Sequence, residues 1–261
     1  MSTFWCMHIL YRTRASDNCY KIIVSYYRPG LPGRIKMGTD FFSQFTFDER
    51  RFLKKLSTPR KIQDFLVSLP MNFAETMMSP RRVLREGKAH CLEGALLAAA
   101  ALWFHGAKPL LLDLEASSDD ESHVVALFRR FGCWGAISHT NHAVLRFREP
   151  IYKTLRELTL SYFHEYFLNS NGKKTLRSHS RPVDLSLAPL VTSPSLRGRR
   201  GEGDCQWLTA EEDAWYIEKA LEDARHYSIL TPAMARNLRP ADKIEIEAGE
   251  IVAWRPKKGL G

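Results

Sequence analysis

Two residues of this sequence combine the type and the setting that nucleophilic chemistry needs. Cys91 stands at the head of the apolar run Leu92 to Phe104, in which Glu93 is the only charged residue, and His123 opens the run Val124-Val125-Ala126-Leu127-Phe128. A cysteine in the first turn of a helix sees free backbone N–H groups and the positive end of the dipole, which favour thiolate over thiol. The same N–H groups can receive a developing oxyanion, so one helix start can supply a nucleophile and part of its stabilising site. Set against this, free cysteine is among the most buried residue types and commonly has a packing role. A histidine at the start of an apolar strand has a rigidly held backbone, which suits a general base.

Other reactive side chains carry weaker signals. His90 and Glu93 flank the cysteine and could bind substrate or water, or simply cap the helix. Asp113, Glu115, Asp119, Asp120 and Glu121 form an acidic stretch, but their spacing matches no calcium loop and reads as a solvated turn. No metal and no cofactor are therefore expected. Thr140 to Arg148 joins a polar knot to an alternating strand that could line a cleft or be only the next strand. Tyr152, Tyr162, His164 and Tyr166 recur at helical spacing and are assigned to packing.

The elements that must hold this pair are marked by ordinary punctuation. Phe47 to Leu56 has an amphipathic helical pattern. Thr58-Pro59 supplies an N-cap and a proline at the first helical position of a helix ending before Pro70. Ser79-Pro80 repeats this grammar, with Gly87 suited to a left-handed stop. Residues 91–105 are too apolar on every side for a surface helix, which predicts a buried central one ended by Gly106. Three strands follow, at 109–114, 122–130 and 133–139, and then a helix over 151–168 that would cover the sheet. Residues 169–206, rich in Ser, Pro, Gly and Arg, read as a loop or linker. Thr209 to Glu212 has a capping-box pattern that opens a helix through about residue 226, and 243–254 alternates like a hairpin. The resulting division is a peripheral extension over 1–36, a core over 37–168, a linker over 169–206, and a C-terminal helix and hairpin over 207–261. Met37 is a candidate natural start.

Composition bounds the function classes. The 261 residues are 44% apolar and 26% charged, as in ordinary folded proteins. The longest apolar stretch, Gly94 to Phe104, falls short of the roughly 18 residues of a membrane span, and the Phe4 to Met7 patch lacks the layout of a signal peptide. Five scattered cysteines without CxxC spacing fit a reducing compartment. A cytoplasmic protein is expected, with no membrane partner. The excess of 38 Lys and Arg over 29 Asp and Glu gathers mainly in segments that read as ends and linkers, which disfavours a nucleic-acid partner.

The runs Gly87-Lys-Ala-His-Cys91-Leu-Glu-Gly-Ala-Leu-Leu, Gly106-Ala-Lys-Pro-Leu-Leu-Leu-Asp and Ser122-His123-Val-Val-Ala-Leu-Phe resemble the core of the transglutaminase-like superfamily, within the papain-like cysteine proteinase fold. The resemblance covers roughly residues 80–140. It implies an α+β core with a central helix on a small antiparallel sheet, Cys91 as nucleophile, His123 as base, and a carboxylate on the next strand that orients the histidine. At that last position the sequence reads Trp134-Gly-Ala-Ile-Ser138, followed by His139, Thr140 and Asn141. Ser138, or Asn141 by analogy with Cys-His-Asn sites, is then the candidate third member. The expected activity is acyl transfer on a peptide, protein or small amide substrate, by hydrolysis or transamidation. The alternative is a binding module that keeps the fold without the acid.

Overall fold

The computed structural model describes residues 41–187 and 205–255. The extension over 1–36, the Met37 start and the middle of the linker lie outside the described residues. Among the described residues the chain is mixed α+β, with eight α-helices and a seven-stranded antiparallel sheet.

Four helices precede the sheet. Helix α1 (Phe47–Lys55) starts at a capping box in which Thr46 and Glu49 satisfy each other's backbone N–H groups. Helix α2 (Pro59–Ser68) is capped by Thr58 and α3 (Pro80–Glu86) by Ser79, each with proline at the first position. Gly87 ends α3 with φ 65° and ψ 30°, a left-handed turn that glycine makes without steric cost.

Helix α4 (Cys91–Phe104) is the centre of the molecule. Every residue from Leu92 to Leu102 is buried. A helix apolar all round is stable only when covered all round. Here α1, α2 and α3 cover one side and the sheet the other, in one core with Val124, Ala126, Phe128 and Ile137. Fully burying Leu96 or Leu97 stabilises the fold by roughly 1.5–3 kcal/mol each.

The sheet comprises β1 (Leu110–Ala116), β2 (His123–Arg130), β3 (Cys133–Ile137), β4 (Arg148–Tyr152), β5 (Leu176–Ser180), β6 (Val183–Asp184) and β7 (His226–Ser228), in the order β4-β3-β2-β1-β5-β7 with β6 also on β1. Leu112, Leu114, Val125, Leu127 and Ala136 form the second core, with Leu158 and Tyr162 of helix α5 (Leu155–Phe163). Because β2 is covered on both faces, it reads as a continuous apolar run rather than an alternating one.

Several C-terminal expectations differ from the structure. Ile151 and Tyr152 belong to β4, and the helix begins only at Leu155, after the N-cap Thr154. The segment read as a linker contributes β5 and β6 to the sheet. Its strand was masked by polar residues that are buried but satisfied: Ser180 Oγ accepts from Asp113 N at 3.0 Å, and Ser178 bonds Glu115. Thr209 caps no helix; its hydroxyl donates to Gln44 Oε1 at 2.8 Å, and helix α6 runs from Trp215 to Glu222 after a 3-10 turn at Cys205–Leu208. After the short α7 (Pro232–Arg236), the expected hairpin is instead helix α8 (Lys243–Gly249), set by a capping box between Asp242 and Glu245. Among the described residues no helix is long and apolar enough to cross a membrane.

Candidate functional site

The chain reaches Cys91 along a fixed path. Gly87 turns it out of α3, and Ala89 pairs with Met71 in a parallel bridge, with Ala89 N donating to Pro70 O and Asn72 N to Ala89 O. His139 Nε2 reaches the same Ala89 carbonyl at 2.9 Å. Burial holds the His139 imidazole below its ordinary pKa, so it donates that bond as a neutral ring.

Cys91 is the first residue of α4 and is half-buried. Its own N–H is one of the first-turn groups that have no intrahelical acceptor. Burial alone would raise the thiol pKa, but hydrogen bonds from His123 and His90 outweigh it and bring it down from 9.0 to about 6. At neutral pH the sulfur is therefore mostly thiolate, the form that attacks carbonyl carbon.

His123 opens β2 opposite Leu114 and is buried. Its Nε2 lies 2.8 Å from Ser138 Oγ, and Ser138 Oγ lies 2.6 Å from the carbonyl oxygen of Leu145. A hydroxyl has one proton, and a carbonyl can only accept, so Ser138 donates to Leu145. Ser138 must then accept from His123, which puts the imidazole proton on Nε2 and leaves the lone pair on Nδ1. That is the tautomer a base beside a thiol requires.

Ser138 is itself held from two sides. Gln63 on α2 donates from Nε2 to the Ser138 carbonyl at 2.7 Å and accepts from the Ser138 N–H at 3.0 Å, taking the place of a strand partner just beyond β3. Leu145 has φ 59°, unusual for a branched-chain residue. Its N–H donates to Glu165 Oε2 at 2.9 Å, and that oxygen also accepts from Arg148 Nη2 at 2.6 Å. The carboxylate that the sequence lacks at position 138 thus stands one backbone residue behind the serine.

Asn141 has another task. Its Nδ2 donates to Trp254 O at 3.0 Å and its Oδ1 accepts from Trp254 N at 2.8 Å, so both ends of the amide pin the C-terminal segment. Of the two candidate third members, Ser138 is the one bonded to His123. Residues 140–147 form no strand; His142 makes a single bridge with Val252.

Glu93, expected to be a cap or a substrate contact, is fully buried and acts as a hub. Oε1 accepts from Thr76 Oγ1 and Met78 N, and Oε2 from Asn72 Nδ2 and His90 N, all within 3.0 Å. Its capping-box spacing was visible in the sequence; its ordering of the 72–78 loop was not. Gln63 gave no signal at all, because a glutamine on an amphipathic helix is indistinguishable from a solvent-facing one. Among the described residues no group of three His, Cys, Asp or Glu side chains is gathered in a way that could hold a metal ion. No family model matches the sequence, and no curated protein matches it.

Proposed function

We propose that the protein is a cysteine-dependent acyl-transfer enzyme of the transglutaminase-like, papain-like type, acting on an amide. The observation that carries this reading is the line Cys91, His123, Ser138, Leu145 carbonyl: the donor and acceptor count leaves His123 Nδ1 able to accept a proton, and the same ring is bonded to a thiol of lowered pKa. The thiolate attacks the carbonyl carbon and the carbonyl electrons move onto oxygen, where the Cys91 N–H at the helix start supports the oxyanion. The C–N bond then breaks as the leaving nitrogen takes the proton that the thiol had given to the imidazole bonded to it, giving a thioester and a free amine. Water attacks the thioester while His123 Nδ1 accepts its proton, and the acid and the thiolate are released.

A binding module is favoured by one specific feature, the neutral Ser138 where a carboxylate would stabilise an imidazolium. The two readings separate on an acylation experiment. Wild type, Cys91→Ala and His123→Ala are mixed with p-nitrophenyl acetate and analysed by stopped flow and peptide mass spectrometry. The enzyme reading expects a burst of nitrophenol with an acetyl group on the Cys91 peptide, abolished by Cys91→Ala and slowed by His123→Ala. A chain that stays unacylated supports the binding module.

A further inference from the structure

The Cys91 thiol is bonded to two imidazoles, and the groups that hold those two rings differ. His90 is the N-cap of α4. Its Nε2 lies 2.6 Å from the Thr76 carbonyl and 3.5 Å from Glu93 Oε1. Both are acceptors, so Nε2 bears a proton whatever the charge of the ring. On the other side, Nδ1 accepts weakly from Leu92 N at 3.3 Å, and the ring is also hydrogen-bonded to Cys91. His123, by contrast, is bonded to the uncharged Ser138, and Asp113, a carboxylate whose charge it feels, is bonded to His226 instead. A positive ring is stabilised by a buried anion and hardly at all by a hydroxyl.

We infer that His90, backed by Glu93, takes the thiol proton and is the resting partner of the Cys91 thiolate, and that His123 is the base for water. The inference rests on the acyl-transfer reading of the site. The proton leaves Sγ for His90 Nδ1, and Nε2–H stays on Thr76 O beside the Glu93 carboxylate. The Leu92 N–H, losing its acceptor, is then free to face the sulfur anion. The carboxylate that the family pattern places behind His123 is thereby replaced by one placed behind the preceding residue of the nucleophile's own helix. The charged and titratable groups around the pair are Glu93, His123, His139, Asp213 and Tyr166. Of these, Glu93 alone both bonds the His90 backbone and approaches its ring.

The test is the pH dependence of Cys91 alkylation by iodoacetamide, read by peptide mass spectrometry with Cys133 as an internal control, in full-length wild type, His90→Asn, His90→Gln and His123→Ala. Asparagine keeps a side-chain acceptor at the N-cap, so His90→Asn removes the charge and retains the helix start. Circular dichroism confirms folding, and His90→Gln replaces His90→Asn if that variant melts early. The expected result is a wild-type midpoint near pH 6 that rises by about one pH unit or more in the His90 variants, a loss of about tenfold in rate below the new midpoint, with a smaller rise in His123→Ala. A midpoint that stays low without His90 and rises without His123 overturns the inference and leaves the acyl-transfer reading intact. A wild-type midpoint near that of an ordinary thiol overturns both.

Discussion

The side chain of His139 occupies the space where a side chain on Gly94 would begin. A Cβ built at residue 94 would meet His139 Cβ, with Cγ only 3.0 Å away. The third residue after Cys91 is therefore what allows the end of β3, and with it Ser138, to approach α4.

Gly94→Ala is accordingly expected to weaken the protein, although alanine gains about 1 kcal/mol over glycine inside a helix. The clashing atom is a Cβ whose ring is tied to the Ala89 carbonyl, so it cannot rotate away. Overpacking of this kind costs about 1–3 kcal/mol, so a net loss of up to about 2 kcal/mol in urea unfolding is the expected outcome. Cys91 alkylation should slow in the folded variant, because the strain is relieved by moving α4 from the strand that positions His123. Unchanged stability and unchanged labelling would show that the approach is not required.

Ser138→Ala strips a partner from two groups at once, the His123 N–H and the Leu145 carbonyl. Leaving one buried polar group unsatisfied costs about 1–3 kcal/mol, so a stability loss of at least that size is expected in urea unfolding. The variant also frees His123 to take the other tautomer. Acylation by p-nitrophenyl acetate should fall by about 10–100-fold, less than the roughly 10⁴-fold seen when the charged member of a triad is neutralised, since no charge is removed here. A variant that acylates at the wild-type rate would show that Ser138 does not set the tautomer.

Much of the site's frame was legible in the sequence, for physical reasons that these residues make plain. Helix α4 and strand β2 have to be apolar throughout because they are covered on both sides, and that leaves an unmistakable run. Thr58-Pro59, Ser79-Pro80 and Gly87 mark helix ends because caps and left-handed turns admit few residue types. Strand β5 was hidden because Ser178, His179 and Ser180 are buried through hydrogen bonds rather than through apolarity. Helix α8 was hidden because Ile244 and Ile246 alternate as a strand would. Ile244 is in fact 77% exposed, and a local cap, Asp242, decides the conformation. The partners of Ser138 come from α2, from β2 and from Leu145 in the loop before β4, long-range relations that no local pattern encodes.

Gln63 provides the clearest case of such a relation. Gln63→Leu leaves the Ser138 N–H and carbonyl without partners, with an expected cost of about 1–3 kcal/mol and slower Cys91 acylation. Gln63→Glu is more informative. Only its protonated form can still donate to the Ser138 carbonyl, so its folded-state pKa is raised above the unfolded value of about 4.3. Its stability is then highest below that value and falls as pH rises toward the folded pKa, by up to about 1.4 kcal/mol per unit. Urea unfolding of Gln63→Glu against wild type across this range checks the sign; a difference that is flat with pH would remove the clamp from the account.

Reactivity and stability should respond differently to pH at Cys91. The thiol is lowered from 9.0 to about 6, which taken alone would make stability rise between those values and be lost as pH falls through 6. His90 is raised from 6.5 to about 9; burial opposes this, while the bond to Cys91 and the charge of Glu93 favour it. Taken alone, it would give stability present in full below 6.5 and lost as pH rises through 9. Together the two nearly cancel. From about 6.5 to 9 the folded pair holds one proton, on His90, and the unfolded pair also holds one, on Cys91, so the pair gives folding no pH slope. Alkylation of Cys91 should therefore switch on near pH 6, while the Cys91→Ser/His90→Asn double variant, which lacks both titrating groups, and wild type keep a constant stability difference from pH 6.5 to 9. A difference that grows with pH by about 1.4 kcal/mol per unit would mean that the thiolate forms without a proton passing to His90, and that the cysteine is activated by hydrogen bonds to neutral rings alone.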